Sequence, residues 1–281
     1  MSVQSKIAVI ILNWNGKKDT LECLKTATNS SDRLHRVELI VVDNNSADDS
    51  VSSIRQRFPR VILLENSQNL GFSGGNNVGI KYALEHNFDY IILLNNDTTV
   101  TPETFTTLVT QARKHNFDIA SPKIYFYPGC EFHHDSYTKA EIGKVIWYAG
   151  GRIDWPNVIP RHIGVDEVDH GQYNLACETE FATGCCLLID PKVFKSIGFL
   201  DDSYIAYFED NDFCQRALKV GYKVGYLPQA HMWHKNASSS GGSGSKKQTT
   251  LVDSSRFRFA MRYAPLRAKL AIIKQKITKS N

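Results

Sequence analysis

The chain has 281 residues, of which 42% are hydrophobic, 22% are charged and 11% are aromatic, and its formal net charge is +4. This composition is typical of a globular protein with one sizeable core, and it excludes an intrinsically disordered chain. No run of about 18 apolar residues occurs, which excludes a membrane-spanning helix, and the first apolar run, residues 7–12, is too short for a secretory signal.

The first 120 residues alternate between predicted strands and helices. Apolar runs predict buried strands at 7–12, in a segment ending at Asp43, at 61–65 and from residue 90. Helices are predicted at 17–28, from a cap at Ser46 or Asp48 to about 58, at about 76–86, and after Pro102. The alternation predicts the α/β class, with an open, mainly parallel sheet and helices on both faces.

Polar residues follow three of these predicted strands. They are Asn13 and Asn15, then Asp43, Asn44 and Asn45, and then Asn95, Asn96 and Asp97. Because ligands of such sheets bind beyond the carboxyl ends of the strands, we expect these ends to converge on one cleft.

The glycine-rich segment at 69–79 follows one strand and opens a helix. Its glycines, at 71, 74, 75 and 79, do not have the GxGxxG spacing of dinucleotide-binding folds, and no GK[ST] phosphate loop occurs. The segment suits a phosphate or sugar close to the backbone, or it is an ordinary tight turn.

The segment LLNNDTT places one carboxylate and two amides at the end of a buried strand. These hard oxygen ligands suit Mg²⁺ or Mn²⁺ carrying a diphosphate. The alternative is an Asx-rich turn that caps the next helix.

The second half is less regular. Residues 125–180 hold several Gly, Pro, Trp and His, and we expect them to form strands and loops that cover the cleft. Residues 178–194 predict a strand entering a short helix, with Pro191 near its start. The six cysteines have no CxxC spacing, so reduced thiols are expected.

The segment YFEDNDFCQR places three carboxylates, Glu209, Asp210 and Asp212, at the start of a predicted helix. Asp212 can pair with Arg216 one turn later. A carboxylate at Glu209 or Asp210 can take a proton from an incoming hydroxyl, or both can serve only as helix caps.

The C-terminal segment is strongly basic. Residues 246–281 hold ten Lys or Arg and one acid, Asp253, a net of +9, so the rest of the chain carries −5. Residues 238–245 predict a flexible Ser/Gly loop, and 256–277 predict a helix that Pro265 would kink. We expect an anionic membrane surface as its partner, or else a solvated terminal helix, or a helix that packs in part on the domain and leaves only its last two turns free. No motif for nucleic acid accompanies it.

Six motifs, taken together, resemble one family over residues 6–263. They are VIILNWNG, VVDNNSAD, NLGFSGGNN, LLNND, TGCCLLI with GFLDDSYIAYFEDNDFCQRALKVGYKVGYLP, and WHK with SSSGG. The set resembles the family 2 inverting glycosyltransferases of the GT-A fold, and more narrowly the rhamnosyltransferase-like branch that builds bacterial surface polysaccharides.

The resemblance implies a role for each motif. Asp210 corresponds to the catalytic base, with Glu209 beside it. Asp97 corresponds to the last acid of the DXD motif, which holds the metal, and His234 to a histidine that completes the metal site in some members. Asn95 replaces the first acid of that motif. The implied donor-binding residues are Asn13, Asn15, Asp43, Asn45, Asn69, Gly74, Gly75, Asn76, Asn95 and Asn96.

The resemblance also implies the activity and its setting. It predicts transfer of a sugar from a nucleotide-sugar, with dTDP-rhamnose as the donor suggested by the branch, to a glycan or lipid-linked acceptor, with Mg²⁺ or Mn²⁺. We expect a GT-A domain at 1–237, with a donor half at about 1–122 and an acceptor half at about 123–237, followed by a loop and basic helical region at 238–281. A cytoplasmic protein, peripheral on the inner face of the cell membrane, is expected.

Two other functions stay open at this point. A non-catalytic subunit that binds nucleotide-sugar would have no need of the Glu209–Asp210 pair. A nucleotidyltransferase would need a basic grip on a triphosphate near the N-terminus, where the sequence supplies only Lys17 and Lys18.

Overall fold

The structure is a computed structural model, and it describes residues 4–28, 30, 32, 34–236 and 246–280. The predicted Ser/Gly loop at 238–245 lies outside the described residues. The strands are β1 (Ser5–Asn13), β2 (His35–Asp43), β3 (Ile62–Glu65), β4 (Tyr90–Asn95), β5 (Thr98–Val100), β6 (Ile119–Phe126), β7 (Ile146–Tyr148), β8 (Gly151–Asp154), β9 (Ile159–His162), β10 (Cys177–Glu178), β11 (Cys186–Ile189) and β12 (Val224–His234). The helices are α1 (Lys17–Ala27), α2 (Ser50–Arg57), α3 (Gly71–Glu85), α4 (Thr104–His115), α5 (Pro191–Ile197), α6 (Glu209–Lys219), α7 (Lys246–Tyr263) and α8 (Leu266–Ser280).

One open mixed sheet organises the molecule. Its strand order is β10-β12-β6-β11-β4-β1-β2-β3, with β5 paired to β12 and β7 paired to β6. The four strands β3, β2, β1 and β4 are mutually parallel, and β6 and β12 run in the same direction. Residues 7–11 of β1 are fully buried, so both faces of the sheet are covered. The predicted α/β class and mainly parallel sheet are confirmed.

The glycine-rich segment forms the first turns of α3, which begins about five residues earlier than predicted. A Cβ at Gly75 would lie 2.4 Å from Leu12 Cδ1, and one at Gly79 would lie 2.6 Å from Ile10 Cγ2. Both glycines therefore let α3 lie directly against the central strands. Only Gly71, at φ +72°, adopts a left-handed backbone among the four.

The N-cap residues of α2 and α4 are Asp49 and Glu103, and neither makes a side-chain cap hydrogen bond. Asp48 Oδ1 accepts a hydrogen bond from the Ser50 backbone N–H (3.1 Å) at the start of α2, whereas Ser46 bonds to Asp43 instead. Pro102 precedes α4, which begins at Thr104, rather than standing inside its first turn.

The basic C-terminal segment forms two helices, separated at Pro265. The predicted Asp212–Arg216 pair is present, with Arg216 Nε donating to Oδ2 (2.8 Å). The other oxygen of Asp212 accepts from Arg262 Nη1 (2.9 Å) and Tyr263 Oη (2.8 Å) at the end of α7. Helix α7 is therefore packed on the domain.

The cysteines of the chain, all of which lie within the described residues, form no disulfide bonds in this structure. All six cysteines are free, and burial raises the pKa of the Cys23 thiol to about 12. Among the helices of the described residues, none combines the length and hydropathy needed to cross a bilayer.

We expect Gly79→Ala to destabilise the fold. The new methyl would press on Ile10 and Val42, and overpacking costs about 1–3 kcal/mol, against about 1 kcal/mol gained in helix propensity. Urea unfolding should show a net loss of about 1 kcal/mol. Lys81→Ala on the exposed face of α3 is the control, and equal or higher stability of Gly79→Ala would contradict the close packing.

Candidate active site

A cleft of about 650 Å³ opens at the carboxyl ends of β1, β2 and β4. The three strand ends converge there, as predicted, and the 147–162 region contributes to its walls. Only some of the predicted site residues line the cleft. They are Asn69, Asn95, Asn96, Asp97, Glu209, Asp210 and His234.

Asp43 and Asn13 are buried beneath the cleft in one hydrogen-bond network. Asn13 Nδ2 and Ser46 Oγ each donate to Asp43 Oδ1 at 2.7 Å, and the Ser46 N–H donates to Oδ2 at 2.9 Å. Asn15, at φ +51°, accepts from the Ala47 N–H (2.7 Å). In this conformation the network joins the loops after β1 and β2, and the implied donor-binding role of Asp43 stays a prediction.

Asn44 supports the loop before α3 and reaches the cleft. Its Nδ2 donates to Asn69 Oδ1 (2.9 Å) and its Oδ1 accepts from the Leu70 N–H (3.0 Å). The sequence places Asn44 in the polar cluster after β2 but predicts no binding role for it. Its neighbour Asn45 is exposed at φ +62° and lies outside the cleft lining.

The remaining predicted donor-binding residues of this segment lie within α3. Asn76 is buried, and its Nδ2 donates to Phe72 O (3.0 Å) within the same helix. Gly74 and Gly75 stand in the first turn, where Gly75 faces Leu12. None of the three lines the cleft in this structure, and their predicted contacts with a donor remain predictions.

The end of β4 brings Asp97 to His234. Residues 98–100 form β5, which pairs with the end of β12 so that Thr98 lies opposite His234. Asp97 Oδ1 and His234 Nε2 are 3.1 Å apart, although the two residues lie 137 positions apart in the chain. Asn96 is fixed nearby by its bond to Thr20 Oγ1 (2.9 Å). Both members of the pair are buried at the floor of the cleft.

This pair fits a small divalent cation. Adjacent ligands of an octahedral ion with bonds of about 2.1 Å lie roughly 3 Å apart, close to the 3.1 Å observed. The described residues contain no group of three or more His, Cys, Asp or Glu that could hold an ion. Two protein ligands leave positions for the oxygens of a phosphate and for water, as at Mg²⁺ sites, although one of the two ligands here is an imidazole instead of a carboxylate.

A strained turn sets the position of Asp210. Tyr207 and Phe208, directly before α6, have φ values of +67° and +68°, a left-handed conformation that is costly for bulky side chains. Asp210 Oδ2 accepts from the Gly184 N–H (2.8 Å), and Oδ1 accepts from Asn211. Since Gly184 belongs to the TGCC segment, the loop before β11 holds the carboxylate at the cleft.

Burial changes the acidity of both adjacent carboxyls. It raises the pKa of Asp210, although the bonds from Gly184 and Asn211 counteract it. Burial and the Asp210 charge together raise the pKa of Glu209 well above its usual range. Glu209 Oε2 is buried with no hydrogen-bond partner among the described residues. In this pair burial favours the neutral form of Glu209, whereas hydrogen bonds from Gly184 and Asn211 hold the carboxylate of Asp210.

The upper wall of the cleft was predicted in part: the β8–β9 hairpin lies within residues 125–180, which were expected to cover the cleft, whereas the contribution of α7 was not predicted. The wall is formed by apolar residues of the β8–β9 hairpin and of α7, among them Ile159, Leu251 and Val252, together with Arg256. Arg256 Nε donates to Asn157 O (3.0 Å), which joins α7 to the hairpin. Only the apolar character of these positions is visible in the sequence, and that is equally typical of a core.

The chain is similar to known proteins along most of its length. The family model for "Glycosyl transferase family 2" matches residues 8–198. The low-salt glycan biosynthesis hexosyltransferase Agl10 of Haloferax volcanii is 28% identical over 78% of this chain and 64% of its own length. The dTDP-rhamnosyl transferase RfbF of Shigella flexneri is 24% identical over 83% of this chain and 70% of its own length.

A solved structure shares the fold. The crystal structure of GalNAc-T7 with UDP, GalNAc and Mn²⁺ superposes with a TM-score of 0.68 at 15% identity, over 93% of this chain and 48% of that chain. The predicted GT-A fold is thereby confirmed. The chain spans about two thirds of the length of the Haloferax relative and about half of GalNAc-T7.

We expect Glu209→Gln to remove a pH-dependent loss of stability. Because the folded-state pKa of Glu209 is raised, the wild-type protein loses stability as pH rises from the ordinary glutamate value through the folded value, by at most about 1.4 kcal/mol per pH unit. The variant cannot ionise at this position. Its free energy of unfolding, relative to that of the wild type, should therefore increase with pH in urea unfolding between about pH 4 and pH 8. Glu85→Gln, on the exposed surface, is the control; a difference independent of pH would contradict the raised pKa.

Proposed function

Because the chain belongs to glycosyl transferase family 2, we propose that it transfers a sugar from a nucleotide-sugar to a hydroxyl of a glycan or lipid-linked saccharide, with inversion at the anomeric carbon. The observation that carries this proposal is that Asp210 and the Asp97–His234 pair line the same cleft. Asp210 suits the acceptor hydroxyl, and the Asp97–His234 pair suits a metal-bound diphosphate. Sugar transfer requires both.

Asp97 and His234 would hold Mg²⁺ or Mn²⁺ on the donor diphosphate. When bound there, such an ion would neutralise negative charge on the departing diphosphate. Asn95 stands where the family's motif has an acid, so the site has one negative charge less and relies on this pair. The Mn²⁺ and UDP in GalNAc-T7 support a divalent ion and a nucleotide in this fold.

Asp210 would act as the general base. Its Oδ2 is fixed by the Gly184 N–H, and burial raises the pKa of the carboxyl, which makes the carboxylate a stronger base than an exposed aspartate. It takes the proton of the acceptor hydroxyl as that oxygen bonds to the anomeric carbon. The bond from this carbon to the diphosphate oxygen breaks on the opposite face. A single displacement of this kind inverts the carbon and needs no enzyme nucleophile.

The relatives indicate the setting of the reaction. Their names place one in glycan biosynthesis and describe another as a dTDP-rhamnosyl transferase, so dTDP-rhamnose is the first donor to test. We propose that residues 1–122 bind the donor and 123–237 the acceptor. We further propose a cytoplasmic location on the inner face of the cell membrane, where lipid-linked acceptors would be reached.

Asp210→Asn should separate chemistry from binding. We expect transfer to fall by about 10²–10⁴-fold, because an amide cannot accept the proton, while donor affinity changes little. Single-turnover transfer and equilibrium donor binding would be measured side by side. Asp202→Asn, at an exposed site in the preceding loop, is the matched control. Transfer near the wild-type rate in Asp210→Asn would exclude Asp210 as the base.

A donor panel tests the donor and the metal together. The purified chain would be melted with dTDP-rhamnose, UDP-glucose, UDP-galactose, UDP-GlcNAc and GDP-mannose, each with Mn²⁺ or Mg²⁺ and each with chelator. A donor at about 100 times its Kd should stabilise the fold by about 2.7 kcal/mol. In His234→Ala, the metal-dependent part of this stabilisation, which chelator removes from the wild type, should be absent. If no donor raises the melting temperature, the nucleotide-sugar proposal fails.

A further inference from the structure

Helix α8 presents an apolar stripe to solvent. Leu266, Leu270, Ile273 and Ile277 are 73%, 58%, 37% and 59% exposed. Their spacing of four, three and four residues places them on one face of the helix. The opposite face is buried through Ala268 and Ile272. Within the part of the chain that the structure describes, the stripe is therefore left uncovered.

Basic residues flank the stripe on both sides. At 3.6 residues per turn, Arg267 and Lys274 project roughly 70–90° to one side of the stripe. Lys269 and Lys276 project by about the same angle to the other side, and Lys276 Nζ lies over the Phe257 ring of α7, 3.9 Å from its centre. Residues 266–280 contain no Asp or Glu. An apolar band between two rows of cations is the arrangement of a helix that lies in a membrane interface.

We propose that this stripe, Leu266–Leu270–Ile273–Ile277, docks on the surface of an anionic lipid bilayer. The apolar side chains would enter the boundary of headgroups and acyl chains, and the flanking cations would pair with anionic headgroups. A second copy of α8 fits less well, because two such helices would bring their basic rows together. The biological purpose, access to a lipid-linked acceptor, rests on the proposed function.

The fold connects this surface to the cleft. The first half of α7 supplies Leu251 and Val252 to the cleft wall, and its end is held to Asp212 by Arg262 and Tyr263. Helix α7 covers about 20 Å between Val252 and the start of α8. Docking of α8 would therefore hold the cleft close to the bilayer, within reach of an acceptor anchored in it.

Flotation of the full chain with lipid vesicles tests the proposal. Vesicles of phosphatidylcholine would be compared with vesicles that contain about one third phosphatidylglycerol. We expect the wild-type chain to float with the anionic vesicles and to be released by salt. Leu270→Gln/Ile277→Gln should reduce the bound fraction by about tenfold or more, since two apolar side chains are lost from the interface. Arg267→Gln/Lys274→Gln should also reduce it and weaken the salt dependence.

Leu175→Gln is the matched control, because Leu175 is 84% exposed far from α8 in the sequence. It should float like the wild type, and thermal melting would check that each variant folds. Unchanged flotation of the stripe variant, or an equal loss in Leu175→Gln, would overturn the proposal. The proposal would also be overturned if the wild-type chain bound neither kind of vesicle and instead formed a dimer that is absent in the stripe variant. Flotation needs neither donor nor acceptor, so its result is separate from that of the transfer assays.

Discussion

The buried carboxylate of Asp212 is the interaction on which the arrangement of the C-terminal half depends. A charge taken fully out of water is tolerated only when it is paired and hydrogen-bonded, and here Arg216, Arg262 and Tyr263 supply those bonds. The first belongs to α6, which also carries Asp210, and the other two belong to α7. One side chain thus fixes the helix of the proposed base against the helix that walls the cleft.

Contacts from several neighbouring elements hold the residues of the candidate site in place. The turn at Tyr207 and Phe208 is costly, and it persists because α6 is held from outside by α7 and the proposed base is held by the Gly184 N–H. The Asp97–His234 pair is held by the ladder between β5 and β12. The strands and the packed helix α6 therefore position the proposed base and the proposed metal-binding pair before any ligand binds.

The basic segment divides into two parts with different physical roles. On α7, Arg262 pairs within the chain, with Asp201 and with the buried Asp212. On α8, cations flank an apolar face that the described residues leave uncovered. The same composition therefore stabilises the fold in one helix and creates a surface in the next. The break at Pro265, which removes a backbone donor, separates the two.

The sequence by itself determined the features that depend on neighbouring residues: the buried strands, the order of helices, the α/β class, the convergence of three strand ends and the Asp212–Arg216 pair one turn apart. Only the tertiary structure decided which side chains face the cleft. The contact of Asp97 with His234 depends on the register between β5 and β12, and the burial of Asp43 depends on the loop after β2. Likewise, the close approach of Gly75 to Leu12 appears only once α3 is packed. The physical reason is that periodicity and capping act within a few residues, whereas the direction and partners of a side chain are set by segments that lie far apart in the chain.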